Sequence, residues 1–179
     1  EGRYAVVGGG PAGMSTALEL AKRGAEVDLF EAKAQLGGQF LLARQIPGKE
    51  EFAETLRYYQ HELDRRGVRI HLESRFESSA IGAAEQEGKP YQAVAWCAGI
   101  RPRVPRIPGA DLPIAVPYDK VLSGEVEIGE RVALIGAGGI GFDVADFLSH
   151  PHGEETIEGF RNSWGIDGSL ENDGGLIEP

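Results

Sequence analysis

Val6-Val7-Gly8-Gly9-Gly10-Pro11-Ala12-Gly13 is the stretch that decides the fold of this 179-residue chain. The residues before the glycines, 3–7, are largely apolar and β-branched and predict a short buried strand. Residues 11–23, after the glycines, carry apolar side chains at helical spacing, and proline in the first turn of a helix costs no hydrogen bond. The stretch is therefore predicted to be a tight, glycine-rich turn between a strand and a helix.

A second apolar segment, residues 25–30, predicts another strand directly after that helix. Strand, helix and strand in succession form a βαβ unit, which implies parallel strands and a right-handed crossover. Further along the chain, the pattern predicts a helix over residues 50–66, an alternating strand over residues 68–72 and a buried strand over residues 91–98. The predicted fold class is α/β: a Rossmann-like, three-layer fold with a parallel sheet, of the kind that binds FAD or NAD(P).

The first turn matches the pattern G-x-G-x-x-G, which between a strand and a helix indicates a site for the diphosphate of a dinucleotide. Gly8 would allow the sharp turn, Gly10 would let the backbone approach the diphosphate, and Gly13 would let helix and strand pack closely. Pro11 and Ala12 begin the helix, whose amino end offers free N–H groups and a positive dipole to the phosphates.

Glu31 follows the second predicted strand, 23 positions after Gly8 (31 − 8). A carboxylate there can accept hydrogen bonds from both hydroxyls of an adenosine ribose, and it would repel a 2′-phosphate. The first site is therefore predicted to take FAD, NAD or ADP rather than NADP. The alternative that requires no ligand is a tight turn beside an ordinary surface glutamate.

The run Leu36-Gly37-Gly38-Gln39-Phe40 again brings bare backbone close to a neighbour or a ligand. A simple NAD domain has no need of such a loop, whereas a ligand that continues beyond the diphosphate, such as FAD, would use it. Gly38 is accordingly predicted to lie against FAD. A plain glycine turn is the alternative interpretation.

A second strand, glycine turn and helix are predicted at residues 131–135, 136–141 and 140–149, so the chain contains an internal repeat. This turn also reads G-x-G-x-x-G, and we expect a nicotinamide coenzyme on its glycines, which are Gly136, Gly138, Gly139 and Gly141. The predicted organisation is an FAD-binding domain at 1–109, a connector at 110–130 and the beginning of an incomplete NAD(P)H-binding domain at 131–179. The choice between NADPH and NADH stays open.

Composition excludes several other classes of function. The net charge is −10 without any run of Lys or Arg, which argues against nucleic-acid and membrane-surface partners. One cysteine, Cys97, cannot form a disulfide or an iron–sulfur site within the chain, and the four histidines lack metal-ligand spacing, so no metal site is predicted. Neither a membrane-spanning run nor a signal peptide is evident, which favours a cytoplasmic protein.

Five segments together resemble a known family. They are residues 7–13, 46–52, 54–59, 135–143 and 164–170, and the second, third and last are the more specific. The chain resembles the C-terminal flavoprotein part of NADPH-dependent 2,4-dienoyl-CoA reductases. These belong to the old-yellow-enzyme-like NADH:flavin oxidoreductases, which are related to trimethylamine dehydrogenase.

The resemblance implies roles for individual residues. Ala12 would lie at the diphosphate, Glu31 at the ribose, and Gln39 and Lys49 beside the flavin-side half of FAD. Phe76 would offer its backbone to the adenine. Gly99 would belong to a small-residue turn near the cofactor, which here reads Cys97-Ala98-Gly99 and differs in its side chains from the family pattern.

The resemblance also implies an activity for the complete enzyme. Hydride would pass from NADPH to FAD, and electrons would continue through a 4Fe–4S cluster to FMN, which reduces a 2,4-dienoyl-CoA or related unsaturated acyl-CoA or enone in fatty acid β-oxidation. FMN, the cluster and the proton-donating acid belong to an N-terminal (β/α)₈ barrel and cluster segment, so no catalytic residue is assigned here and the isolated chain is expected to be inactive. A structural ADP-binding module of a related dehydrogenase is the alternative, while a disulfide reductase would require a second cysteine.

Overall fold

A computed structural model describes residues 2–150 and 156–177. These residues form two compact units that divide between Phe147 and Leu148, and each unit is described by itself. The elements are β1 (Arg3–Val7), α1 (Pro11–Lys22), β2 (Glu26–Phe30), α2 (Phe40–Ala43), α3 (Phe52–Arg65), β3 (Arg69–His71), α4 (Ser78–Gln86), β4 (Tyr91–Trp96), α5 (Tyr118–Leu122), α6 (Gly139–Ser149), α7 (Ile157–Ser163) and a 3₁₀ turn (Asp173–Gly175).

The four strands of the first unit form one parallel sheet in the order β3-β2-β1-β4. The chain therefore crosses from β1 to β2 through α1, and from β2 to β3 through α2 and α3. It then returns across the whole sheet to β4 through α4. Right-handed crossovers in opposite directions place helices on opposite faces of a sheet, which gives three layers. The predicted α/β Rossmann-like fold with a parallel sheet is confirmed.

The hydrophobic core lies between the sheet and the two helices α1 and α3. Strands contribute alternate side chains to this face because the side-chain direction reverses at every residue of a strand. Full burial of a Leu, Val or Met side chain stabilises a fold by roughly 1.5–3 kcal/mol. The buried residues of this cluster are Val6, Met14, Ala17, Leu18, Val27, Leu29, Leu36, Leu56, Leu63 and Val68.

The opposite face of the sheet carries a buried charge that the sequence pattern did not reveal. Asp28 of β2 is 0% exposed, and its carboxylate accepts hydrogen bonds from Arg3 Nε at 2.8 Å and from Arg69 Nε at 2.8 Å. His71 Nε2 and Tyr91 Oη lie 2.9 Å and 3.0 Å from the same carboxylate. Residues from all four strands thus converge on one buried anion, and a buried charge persists only when it is paired in this way.

These contacts change the pKa values of the groups involved. Burial raises the pKa of the Asp28 carboxyl, but the hydrogen bonds from Arg69, His71 and Arg3 outweigh it and hold that pKa well below its ordinary value. Burial, followed by the charge of Asp28, raises the pKa of Tyr91 to about 12. At neutral pH the Asp28 side chain is therefore an ionised carboxylate, and the Tyr91 phenol is neutral.

The structure differs from the sequence prediction at one strand. Residues 131–135 were expected to be a buried strand, yet no ladder forms there, and Val132, Leu134 and Ile135 are 48%, 43% and 82% exposed. A strand requires a neighbour to pair with its N–H and C=O groups. Within the part of the chain that the structure describes, no strand lies beside this segment. Four short helices, α2, α4, α5 and α7, occupy segments for which no helix was predicted.

The second unit contains α7 and a loop around one buried aspartate. Thr156 caps α7 by accepting a hydrogen bond from Gly159 N at 2.9 Å. The Asp167 carboxylate accepts bonds from Ser169 N and Asn172 N, each at 2.8 Å. Hydrogen bonds, with that from the Ser169 side chain foremost, lower the pKa of Asp167. This loop is part of the segment 164–170 that carried the family resemblance.

Candidate dinucleotide-binding site

The first glycine turn lies at the carboxyl end of β1, as a dinucleotide site requires. Gly8 has φ +110°, in a region that favours glycine, and its N–H donates to Phe30 O at 2.8 Å. A side chain at Gly8 would collide with Cys97 O, and one at Gly13 would collide with Gly8 O. Gly10 is the N-cap of α1 and Pro11 its first residue, so the amino end of the helix faces the turn. The turn has the tight packing that its sequence predicted.

Glu31, directly after β2, points its carboxylate at this turn. Its Oε2 accepts a hydrogen bond from Gly9 N at 2.7 Å, and its Oε1 accepts one from Lys33 N at 2.8 Å. A carboxylate oxygen has two acceptor positions, so each oxygen can also accept a bond from one hydroxyl. Glu31 therefore fits a ribose diol, with its acceptors already oriented by the backbone.

The second glycine loop lies against the first turn. Gly37 donates its N–H to Gly9 O at 2.8 Å. Gly38 has φ +53°, and a Cβ placed there would come within 2.9 Å of Gly10 Cα. Gln39 is exposed at the N-cap of α2. The structure thus brings the loop predicted to follow the ligand beyond the diphosphate next to the turn predicted to hold the diphosphate.

Phe76 follows β3 and Gly99 follows β4, so both lie at the end of the sheet where the parallel strands finish. Phe76 packs its ring edge-on against Phe30 at 5.0 Å and Trp96 at 5.7 Å, measured between ring centroids. Gly99 is exposed. Cys97, two residues before Gly99, donates its N–H to Val7 O at 2.7 Å and so lies directly behind the glycine turn. Both predicted contacts stay predictions, located at the carboxyl ends of the strands.

Lys49 makes a contact that sequence reasoning did not anticipate. Its Nζ donates to Asp143 Oδ1 of α6 at 2.6 Å. The two side chains are 40% and 30% exposed. Asp143 lies within the segment 135–143 that supported the resemblance, but a carboxylate on a surface helix carries no signal that names its partner. The pair connects the loop after Gly38 with the helix of the second glycine turn.

The second glycine turn repeats the local geometry of the first. Gly136 has φ +117°, close to the value at Gly8, and a side chain at Gly141 would collide with Gly136 O as one at Gly13 would with Gly8 O. The N–H of Phe142 donates to Gly138 O at 3.1 Å. Gly138 and Gly139 have open space around them. Two turns of the same shape therefore precede α1 and α6, although only the first adjoins a paired strand.

The comparison with known proteins assigns the chain to a family. Residues 2–158 match the pyridine nucleotide-disulphide oxidoreductase family. The chain belongs to this family. Disulphide chemistry does not come from these 179 residues alone, because they contain a single cysteine. Membership supports FAD and NAD(P)H as the cofactor classes predicted for the two turns.

Individual relatives agree with this assignment. The chain is 34% identical to an NADH oxidase of Thermoanaerobacter brockii, with 92% of this chain and 25% of the relative covered. It is 31% identical to a cinnamate reductase of Clostridium sporogenes, with 88% and 23% covered. A solved structure of 2-naphthoyl-CoA reductase with 2-naphthoyl-CoA superimposes with a TM-score of 0.75 at 31% identity, covering 81% of this chain and 21% of that one. The chain thus spans about a quarter of the length of these relatives.

The residues that the structure describes contain neither a candidate membrane-spanning helix nor a candidate metal site. Across residues 2–150 and 156–177, every helix is too short or too polar to span a bilayer. Within the same ranges, no three His, Cys, Asp or Glu side chains come together where they could hold a metal ion.

Proposed function

We propose that this chain is the nucleotide-binding part of a flavin-dependent oxidoreductase, with FAD at the first turn and NAD(P)H at the second. One observation carries the proposal: the Glu31 carboxylate points at the Gly8–Gly13 turn and is fixed there by the N–H groups of Gly9 and Lys33. A ligand with a diphosphate and a neighbouring ribose diol matches this arrangement. The second turn, of the same local shape, supports a second dinucleotide.

The residues of the chain bind and orient, and the chemistry comes from the cofactors. The first turn of α1 would donate its free N–H groups to the diphosphate, since these groups have no partner within the helix. Glu31 would accept the two ribose hydroxyls, which fixes the adenosine end. FAD, when bound, supplies the capacity to accept a hydride from NAD(P)H together with one proton from solvent. Gly38 and Gln39 would border the flavin-side half.

The finer proposal names the electron acceptor of the complete enzyme. Electrons would pass from FAD through a 4Fe–4S cluster to FMN and reduce a 2,4-dienoyl-CoA or a related unsaturated acyl-CoA or enone. Relatives named as reductases of cinnamate and of 2-naphthoyl-CoA support a substrate of this kind. We propose FMN, the cluster and a preference for NADPH on the ground of the resemblance, and purely small-molecule partners on the ground of the negative net charge. A cytoplasmic location is proposed because the sequence has no apolar run long enough to span a membrane.

Analysis of bound nucleotides in the complete polypeptide tests the proposal. The protein is purified without added cofactor and denatured, and the released nucleotides are separated by chromatography. We expect FAD, and we expect the visible flavin absorbance of the native protein to bleach anaerobically on addition of NADPH or NADH. Release of ADP without FAD would instead identify a structural ADP-binding module. Release of no adenine nucleotide would overturn both assignments.

A further inference from the structure

The ion pair between Lys49 and Asp143 joins elements that belong to different nucleotide turns. Lys49 lies in a tight turn after α2, where its N–H donates to Ile46 O at 3.0 Å and Ile46 is buried. The helix before this turn, α2, is anchored to α3, which follows the turn, because Phe40 of α2 and Phe52 of α3 pack with their ring centroids 4.4 Å apart. The lysine is therefore held by the part of the fold that borders the first glycine turn.

Asp143 belongs to the helix that begins at the second glycine turn. The helix α6 starts at Gly139, and Asp143 is separated from Gly141 by one residue. Its neighbour Val144 is buried, which anchors this end of α6 in the first unit. A movement of Asp143 relative to Lys49 would thus move the second turn relative to the first.

The ion pair between Lys49 and Asp143 contributes more to the relative orientation of the two turns than to the stability of the fold. Both side chains are partly exposed, at 40% and 30%, and partly exposed ion pairs contribute little to folding stability. A distance of 2.6 Å nevertheless fixes two atoms that are 94 residues apart in sequence. Hydride transfer depends steeply on such placement, since a misplacement of about 1 Å can slow a reaction on the order of 10²-fold.

We propose that Asp143 is a positioning residue: by binding Lys49 it holds the second nucleotide turn in register with the first, so that the nicotinamide meets the flavin in a productive geometry. This inference rests on the proposed function, because it requires FAD at the first turn and NAD(P)H at the second. Asp143 itself touches neither the phosphates nor the reacting atoms in this role. Its loss should therefore slow hydride transfer more than it weakens either cofactor.

Rapid-mixing reduction of the complete polypeptide by NADPH tests the inference, with NADH used if it is the better donor. The change is Asp143→Asn, which keeps the size of the side chain and removes its charge. We expect the rate of flavin bleaching at saturating coenzyme to fall by up to about fivefold, the most that loss of a pair of this strength allows. FAD content and the apparent Kd of the coenzyme should stay within about twofold of the parent, a shift worth less than about 0.5 kcal/mol. Asp143→Glu, which retains a carboxylate, should recover most of the rate.

Controls separate the pair from general effects of charge and folding. Asp111→Asn removes an exposed carboxylate from the connector and should leave the rate unchanged. In a Lys49→Met background, adding Asp143→Asn should slow the reaction no further, because the pair is already broken. If Asp143→Asn fails to fold, Lys49→Arg is compared with Lys49→Met, and FAD content is measured in both because Lys49 is also a predicted FAD contact; Lys49→Met that is slower at equal FAD content supports the inference, and equal rates overturn it.

The outcomes distinguish this inference from the proposed function. Parent protein that contains FAD and is reduced by the coenzyme, with Asp143→Asn equally fast, overturns the inference alone. The same holds if Asp143→Asn and Lys49→Met add their effects in full. Parent protein without FAD overturns the proposed function and the inference with it.

Discussion

Replacement of Glu31 by alanine is the sharpest test of the first site, because its effect can be estimated from the contacts of one side chain. Each carboxylate oxygen accepts one backbone N–H and can accept one ribose hydroxyl. Hydrogen bonds to a charged group contribute about 1.5–3 kcal/mol each. Loss of two of them should weaken FAD binding by about 3–6 kcal/mol, which is roughly 10²- to 10⁴-fold in Kd.

The assay compares the complete polypeptide with its Glu31→Ala variant after identical dialysis, by measuring FAD released on denaturation and by fluorescence titration of the apoprotein. Glu26→Ala is the matched control. It removes a carboxylate from the opposite end of the same strand, where the partners are the side chains of Arg69 and Lys89. Glu31→Ala also leaves the N–H groups of Gly9 and Lys33 without their carboxylate acceptor. Thermal unfolding of the parent and Glu31→Ala apoproteins must therefore be recorded. A folded Glu31→Ala protein that retains FAD like the parent would refute the ribose role.

Three further predictions concern stability and are read from denaturant unfolding. Gly13→Ala should prevent stable folding, because its Cβ collides with Gly8 O. Gly24→Ala, in open space at φ +83°, should lower the free energy of unfolding by only about 1 kcal/mol. Equal stability of the two variants would contradict the packing described. Asp28→Ala should destabilise the chain by about 3–5 kcal/mol, since Arg3 and Arg69 lose the buried carboxylate that pairs with them. A loss of stability below about 1 kcal/mol would refute this account. Because its folded-state pKa is lowered, Asp28 stabilises the fold above its unfolded pKa of about 3.9, and this contribution should be lost as the pH falls further. Tyr91 has the opposite sign: its pKa is raised to about 12, so stability should decline above the unfolded value of about 10, and Tyr91→Phe should remove that part of the alkaline decline.

The local patterns of the chain predicted most of the first unit. The strand, glycine turn and helix at residues 3–23 and the strand before Glu31 were predicted within a residue of their observed bounds, and the helix before Gly67 within two residues. These elements have strong periodicity and clear end signals, which is where sequence reasoning is most reliable. The direction of the Glu31 side chain followed from the same βαβ geometry.

Features that depend on contacts distant in sequence were not predictable. An aspartate within an apolar strand gave no indication that Arg3 and Arg69, 25 residues before it and 41 after it, would bind it. The partner of Lys49 was hidden for the same reason. The prediction of a strand at residues 131–135 was wrong for a related reason. An apolar, β-branched segment forms a strand only where a neighbouring strand pairs with its backbone.

The two backbone amides that hold Glu31 also bear on how coenzyme preference could change at this position. A side chain already immobilised gives up little conformational freedom when the sugar arrives, so the site is pre-organised for an unphosphorylated ribose. Exchange of Glu31 for arginine, aimed at a 2′-phosphate, would leave the N–H groups of Gly9 and Lys33 without an acceptor. Retargeting the first site would therefore require a rebuilt loop rather than one substitution.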